Sequence, residues 1–237
     1  MLIGDVGGRA LALSRDGRTA IVDGLRPRDS HGYLKDRKSP ALCVAVDVAK
    51  GIRTELGAKH RNDVKEVVMS ANGLLATVDG AKLRVFGLTS SRPKTFAGPK
   101  GTVPEHVALS RDGRYVAGTF AWKQKPRNGG CDLFVWEVAS RTQVLACSEV
   151  AHRTLPISFV GGTHSLIYWS PSPVEPQPWD SKKATLKHIG TQGSTPLPAL
   201  ARVRHAAFSD DGHRCAFVAR EITVVDLESG DILLGSL

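Results

Sequence analysis

A short serine-containing phrase recurs along the chain, and this repeat constrains the fold more than any other feature of the sequence. It reads Leu-Ser-Arg-Asp-Gly-Arg at 13–18 and again at 109–114, and Phe-Ser-Asp-Asp-Gly-His at 208–213. Weaker copies stand at 69–74 and at 159–162, the second without the serine. Successive copies are 56, 40, 50 and 49 residues apart. A period of this size predicts a fold made of repeated units.

Each copy of the phrase predicts a tight hairpin. An alternating apolar run precedes it, as at Val107 and Leu109, and Ser-x-Asp-Gly supplies side-chain-to-backbone hydrogen bonds and a glycine that accepts positive φ. A second apolar run follows each phrase, and its composition predicts a strand. These second runs are residues 19–22, 74–78, 115–118 and 215–218. Residues 63–69 have helix-like spacing, but their place in the repeat predicts a strand.

The second half of each unit predicts two more strands. Apolar runs lie at 43–48, 83–88, 133–138 and 222–227, and polar turns follow three of them at 49–51, 139–142 and 228–230. The fourth unit is degenerate, and residues 184–189 are its best candidate for this strand. We therefore predict an all-β fold of four-stranded antiparallel sheets in five units, whose ranges are 6–61, 62–102, 103–153, 154–201 and 202–237.

The hairpin phrase followed by Val-Ala-Val-Asp at 44–47 or Phe-Val-Trp-Glu at 134–137 resembles WD40 repeats and the related TolB-like repeats. The resemblance implies a single β-propeller domain over residues 1–237, with five recognisable blades. No unit has the complete Gly-His and Trp-Asp pair of that family. The Asp-His-Ser hydrogen-bond network of WD40 blades is therefore not expected here.

The sequence leaves undecided whether the five blades close into a ring. Five blades fall within the four to eight of known propellers, but the last unit has its own outer strand at 231–237 and only residues 1–6 precede the first unit. We expect an incomplete ring of a larger propeller, which would associate with itself or with a missing segment. The blade faces then left exposed would carry apolar side chains, among them Leu11, Leu13, Val224 and Leu227.

The chain is basic, with 32 lysines and arginines against 23 acidic residues and a net charge of +9. In a propeller, loops between the second and third strands of a blade lie on one face, and this face collects much of the positive charge. We name this candidate partner-binding set the loop face. It consists of Arg26, Arg28, Tyr33, Lys35, Arg37, Lys38, Trp122, Lys123, Lys125 and Arg127.

The loop face predicts a protein partner that offers acidic segments. Basic loops that serve only solubility are the alternative interpretation. Nucleic acid is disfavoured, because Tyr33 and Trp122 are the only aromatic residues of these loops suited to stacking and no nucleic-acid-binding motif is present. A membrane partner is not expected, because no apolar stretch approaches the roughly 18 residues that a spanning helix requires.

No catalytic signature is present in the sequence. Ser14, Ser70, Ser110 and Ser209 recur at the same place in four of the five turns, so we interpret them as structural. Nucleophile-elbow, P-loop and zinc-protease motifs are missing from the sequence. Polar residues of the innermost strands would line a central channel. This channel set consists of Lys65, Glu105, His106, Arg204 and His205. A propeller enzyme or a metal or ligand binder using this channel is the alternative function, although two histidines are too few for a metal site.

The sequence thus predicts a non-catalytic interaction or scaffold module with no cofactor. Its four cysteines are scattered without a Cys-x-x-Cys pair, which argues against zinc and favours a reducing compartment. No basic leader with an apolar core is visible at the N-terminus. We therefore expect a cytoplasmic protein.

Overall fold

The computed structural model describes residues 9–14, 17–23, 44–56, 64–80, 82–88, 90, 92–124, 130–152, 157–160, 164–171, 181–189, 194–196, 200–201, 205–209, 213–218, 222–227, 229 and 231–234. The chain divides into two compact units, Met1–Ala97 and Gly98–Leu237. Every regular element of the described residues is a β-strand, and none of them forms a helix that could span a membrane.

The first unit contains two four-stranded antiparallel sheets, each with its strands in chain order. Sheet 1 consists of β1 (Arg9–Leu13), β2 (Thr19–Asp23), β3 (Val44–Asp47) and β4 (Arg53–Glu55). Sheet 2 consists of β5 (Glu66–Met69), β6 (Leu74–Asp79), β7 (Lys82–Gly87) and β8 (Lys94–Phe96). Ile21 and Ala45 of sheet 1 pack against Val67, Leu75 and Phe86 of sheet 2 and form the core of this unit.

The second unit contains three further antiparallel sheets among its described residues. Sheet 3 consists of β9 (Thr102–Leu109), β10 (Tyr115–Trp122), β11 (Gly130–Glu137) and β12 (Gln143–His152). Sheet 4 consists of β13 (Ser158–Val160), β14 (Ser165–Pro171), β15 (Ser181–His188) and β16 (Ser194–Pro196), with β17 (Leu200–Ala201) also paired to β15. Sheet 5 consists of β18 (His205–Phe208), β19 (Arg214–Val218), β20 (Ile222–Asp226) and β21 (Ile232–Leu234).

A buried apolar core joins sheets 3 and 4. Leu133 and Val135 of sheet 3 pack against Phe159, Leu166 and Tyr168 of sheet 4. Because side chains alternate across a strand, these residues occupy one face of each sheet, and the opposite face of sheet 3 carries a second set of apolar side chains. That second set includes Phe120, Phe134 and Trp136, whose rings lie 5.7 to 5.8 Å apart.

The predicted all-β class and antiparallel sheets are confirmed, and the described sheets have the predicted four strands except sheet 4, which has β17 as a fifth. The second runs of the hairpins lie in β2, β6, β10 and β19, and residues 66–69 form a strand rather than a helix. The degenerate fourth unit does supply its third strand, since residues 184–188 lie within β15. The single domain over 1–237 and a ring of blades stay predictions.

Of the apolar residues expected to be exposed, Leu13 is exposed and Val224 is half-buried. The expectation is wrong for Leu227, which is buried: its backbone N–H donates to the carbonyl of His213, and it follows β20 on the buried side of sheet 5. The side chain of Leu11 lies outside the described residues.

The serine turns have one common geometry. The serine hydroxyl accepts a hydrogen bond from the backbone N–H at the start of the next strand, at 2.8 Å from Thr19 to Ser14, 3.0 Å from Leu74 to Ser70, and 2.8 Å from Tyr115 to Ser110. Arg214 donates to Ser209 in the same way, at 2.9 Å. Each hydroxyl therefore accepts a backbone N–H at the start of the second strand and fixes the turn to that strand.

Gly113 closes the turn of sheet 3 with a φ of 72°, and its N–H donates to the carbonyl of Ser110 at 2.8 Å. A β-branched residue cannot adopt this backbone without strain, so we expect Gly113→Val to lower the free energy of unfolding by about 1–3 kcal/mol. Urea denaturation measures the loss. Gly87→Ala is the control, because a Cβ there meets only the Cβ of Ser90 at 3.9 Å. Equal stability of Gly113→Val and wild type would contradict the turn.

Two buried threonines of the second strands differ in one hydrogen bond. The hydroxyl of Thr119 accepts the N–H of His106 at 3.1 Å, whereas the hydroxyl of Thr77 has no hydrogen-bond partner in the described structure. Both side chains are fully buried. An unsatisfied buried hydroxyl destabilises the folded state, because it has lost its hydrogen bonds to water.

We therefore expect opposite effects from the same substitution at these two positions. Thr77→Val should raise the free energy of unfolding by about 1 kcal/mol, and Thr119→Val should lower it by about 1–2 kcal/mol because it leaves the His106 N–H without its acceptor. Urea denaturation of the two variants tests this. A loss of stability in both would show that the Thr77 hydroxyl is satisfied.

Candidate functional site

The described part of the loop face is the end of sheet 3 where β10 leads into β11. Trp122 is the last residue of β10 and Lys123 follows it. The other eight residues of the loop face lie outside the described residues: Arg26, Arg28, Tyr33, Lys35, Arg37, Lys38, Lys125 and Arg127.

Trp122 is held in place by polar and packing contacts. Its indole N–H donates to Oδ2 of Asp132 at 3.1 Å, and Asp132 itself is buried. A Cβ built on Gly101 would lie 3.7 Å from the indole ring, so the ring lies over the Gly101 backbone. The N–H of Lys123 donates to the carbonyl of Gly101 at 3.1 Å, and its side chain is exposed. Trp122 therefore anchors this end of sheet 3, and the exposed Lys123 places a positive charge beside it.

The channel set is described only in part. Lys65 belongs to the first unit, directly before β5, and is exposed. In the second unit, β9 carries Glu105 and His106, and the pairing with β10 shifts there, since His106 is opposite Thr119 while Pro104 is opposite Phe120. Glu105 is thus the extra residue of a β-bulge.

The structure does not describe the side chains of the two remaining residues of the channel set. Arg204 lies outside the described residues, and His205 is described only as a strand residue of β18 opposite Val218. No cluster of three or more His, Cys, Asp or Glu side chains suited to a metal occurs in the described part of the chain. The channel as a ligand site stays a prediction.

A polar network that joins sheets 3 and 4 was not predicted from the sequence. Nε2 of His164, in the turn before β14, lies 3.0 Å from Oδ2 of Asp112 in the β9–β10 turn. The other carboxylate oxygen of Asp112 accepts the hydroxyl of Ser110 at 2.7 Å. The His164 ring also meets the Tyr115 ring edge-on, with centroids 4.8 Å apart.

Arg114 extends the network across sheet 3. Its guanidinium lies 5.1 Å from the centre of the Tyr115 ring, and its Nε lies 3.2 Å from Oε1 of Glu137. Oε2 of Glu137 accepts the hydroxyl of Ser140 at 2.7 Å. The hydrogen bonds from Ser140 and Arg114 hold the pKa of Glu137 below its usual range. The network therefore connects the turns at one end of sheet 3 with the neighbouring turn of sheet 4.

Serine, aspartate and histidine meet in this network, but in the wrong order for nucleophilic catalysis. In a catalytic triad the histidine lies between the serine and the aspartate and takes the serine proton. Here Asp112 lies between the other two, and the hydroxyl of Ser110 donates to it. Ser110 is also buried and accepts the N–H of Tyr115. The arrangement stabilises two turns and does not activate a nucleophile.

A sequence signal for His164 existed. A basic residue follows the turn glycine in three repeats, as Arg18, Arg114 and His213, and His164 holds the comparable place in the degenerate fourth repeat. The fourth repeat has Val160 and Thr163 where the other repeats have the serine and the turn glycine, which obscures this correspondence. The Trp122–Asp132 pair had no local signal, because ten residues separate its members.

The sequence matches no protein-family model and no curated protein. Its fold is similar to the crystal structure of TolB from Acinetobacter baumannii, with a TM-score of 0.59 and 13% sequence identity. The similarity covers 83% of this chain and 49% of the TolB chain, so the chain spans about half the length of that protein. TolB is a β-propeller of the TolB/WD40 type, and at this identity the likeness concerns the fold alone.

The contact between Asp112 and His164 predicts a pH-dependent stability. Burial alone would raise the pKa of Asp112, but the hydrogen bonds from His164, Ser110 and the Arg114 N–H, with the charge of His164, lower it from 3.8 to about 2. A carboxylate with a lowered pKa stabilises the folded state above its unfolded pKa, and this contribution is lost as the pH falls through its folded pKa.

We expect Asp112→Asn to be less stable than wild type above pH 4, and this difference should shrink as the pH falls toward 2, where Asp112 of the wild type becomes protonated. Urea denaturation of both proteins over this pH range measures the difference, in which the titration of groups that do not interact with Asp112 cancels. A difference that stays constant with pH would show that the charge of Asp112 contributes nothing.

Proposed function

We propose that the chain is a non-catalytic protein-interaction module, and that its loop face binds acidic segments of a protein partner. The exposed Lys123 beside the anchored Trp122 supports this most directly, because a fixed aromatic side chain next to an accessible cation is a surface ready to bind. The net charge of +9 favours an acidic partner over a basic one.

The polar clusters of the described residues agree with a structural role. Asp132 holds Trp122, and Asp112 holds Ser110 and His164. Arg84 lies 2.7 Å from Asp79, and both side chains are largely buried within sheet 2. Burial raises the pKa of the Cys215 thiol to about 12, so this cysteine is a poor nucleophile. Each of these groups contributes to a turn or to the interior of a sheet.

The proposal also covers the arrangement of the five sheets and the cellular location of the protein. We propose that the five sheets are five WD40-like blades of an incomplete ring, supported by the presence of β21 as an outer strand of the last unit and by the exposed Leu13. The described cysteines Cys131, Cys147 and Cys215 form no disulfide with one another, which supports a cytoplasmic location.

Binding of a glutamate-rich peptide tests whether the loop face recognises acidic segments. We expect the double variant Lys123→Glu/Lys125→Glu to bind this peptide about tenfold more weakly, because two attractive charges become repulsive, and added salt should weaken the wild-type complex. Isothermal titration calorimetry measures the affinities. The control is Arg111→Glu/Arg141→Glu, which reverses two exposed charges in the turns at the opposite end of sheet 3.

Three results would contradict the proposal. Equal weakening by the two double variants would show that only net charge matters. Stoichiometric metal retained by the purified protein would favour the channel set as a ligand or catalytic site. Filter binding of nucleic acid with a steep salt dependence, tighter than binding of the peptide, would favour nucleic acid as the partner.

A further inference from the structure

The turn that leads into β9 is packed against the end of β10. We name residues 98–102 the glycine turn. A Cβ built on Gly98 would lie 2.5 Å from the Phe120 ring, which is too close for any side chain, so the glycine backbone itself lies on this ring. Gly101 has a φ of 92°, and its backbone lies under the indole of Trp122. Two aromatic side chains of β10 therefore fix the glycine turn at its two glycines.

Hydrogen bonds close the glycine turn and connect it to the residue that follows β10. The hydroxyl of Thr102 donates to the carbonyl of Pro99 at 2.7 Å. The N–H of Lys123 donates to the carbonyl of Gly101 at 3.1 Å. Lys100 lies between these bonded positions, and its side chain is exposed. Lys100 and Lys123 thus extend from neighbouring points of one fixed surface.

This end of sheet 3 has an excess of positive charge. Residues 97–104 and 119–130 contain no aspartate or glutamate, and their cations are Lys100, Lys123, Lys125 and Arg127. Asp132 is buried and accepts the indole N–H of Trp122. Glu105 lies half-buried in the β9 bulge, and the side chain of Glu149 in β12 lies outside the described residues. Four cations against the one described Glu105 favour an acidic ligand.

The surface next to the two lysines is not entirely polar. Trp122 is half-buried, so part of its indole remains accessible beside Lys100 and Lys123. An uninterrupted run of glutamates would pair with the lysines but would leave this apolar surface in water. An acidic segment that includes an apolar side chain satisfies both features, because the indole presents a large apolar area. Since the backbone of the glycine turn is already fixed, binding loses little of its freedom.

We propose that the glycine turn forms one binding surface with the loop face, and that the acidic segment bound there carries an apolar side chain. This side chain packs on Trp122 while carboxylates of the segment contact Lys100 and Lys123. The inference rests on the proposed function, and it adds both Lys100 and a requirement on the partner. Single-stranded nucleic acid is disfavoured, because its successive bases stack on several rings. Trp122 is the only aromatic residue of 97–104 and 119–130 that is not buried.

Calorimetry with two peptides of equal charge tests the inference. Both have identical runs of glutamate around one central residue, which is serine in one peptide and leucine in the other. We expect the wild type to bind the leucine peptide about fivefold more tightly, because leucine buries apolar area on the indole. Trp122→Ser should bind the two peptides equally.

Lys100→Glu should weaken the binding of both peptides about tenfold, because an attractive charge becomes repulsive. The matched control is Arg111→Glu, which reverses an exposed charge in the turn at the opposite end of sheet 3 and should change the affinity by less than about twofold. Each variant must retain the circular dichroism spectrum of wild type. If Trp122→Ser does not fold, Trp122→His takes its place with the same expected result, since its ring N–H can still donate to Asp132.

The other outcomes separate this inference from the proposed function. If both peptides lose affinity in Lys123→Glu/Lys125→Glu but not in Lys100→Glu, the proposed function stands and the inference is wrong. Equal affinity of the wild type for both peptides would show that no apolar side chain packs on Trp122. If neither peptide binds, both proposals are wrong. A single-stranded oligonucleotide that binds more tightly than the leucine peptide and is weakened by Lys100→Glu would show that nucleic acid occupies this surface.

Discussion

The hydrogen bond from the second strand back to the preceding serine, which sheets 1, 2, 3 and 5 share, is the contact on which the rest of the structure depends. In sheet 3 the N–H of Tyr115 meets the hydroxyl of Ser110, and this sets Val116 opposite Leu109. A shift by one residue would exchange the two faces of the sheet, because side chains alternate along a strand. The serine thus determines which apolar side chains face the neighbouring sheet, although the bond itself contributes only about 1 kcal/mol.

A second bond extends this register to the third strand. The N–H of Val138 donates to the carbonyl of Arg114 at 2.7 Å, and Leu227 donates to His213 at the same distance in sheet 5. Val48 and Arg18 form the equivalent bond in sheet 1. In sheets 1, 3 and 5 the first three strands are therefore aligned from one turn. This explains why sheets that share few identical residues have the same pattern of facing pairs.

The strands could be predicted from the sequence because their signals are local. Alternation of apolar residues and turn chemistry act within ten residues of chain, and they located β10 and β19 as well as the ambiguous β5. The polar contacts between distant residues could not be found in this way. His164 meets Asp112 across 52 residues, and the partner of Trp122 became visible only when β10 and β11 were paired. Trp122 was expected to contact a partner directly, and the structure shows that it first anchors its own loop.

Sheets with two apolar faces require a neighbour on each side. Sheet 3 has such faces, with Leu133 and Val135 toward sheet 4 and the ring cluster of Phe120 and Trp136 on the other side. Both sets are buried. Sheet 5 repeats the register of the first of these faces, yet Ile222 and Leu234 remain exposed. The serine turns at Ser110 and Ser209 therefore place comparable apolar rows on sheets 3 and 5, and only the row of sheet 3 is buried against a neighbouring sheet among the described residues.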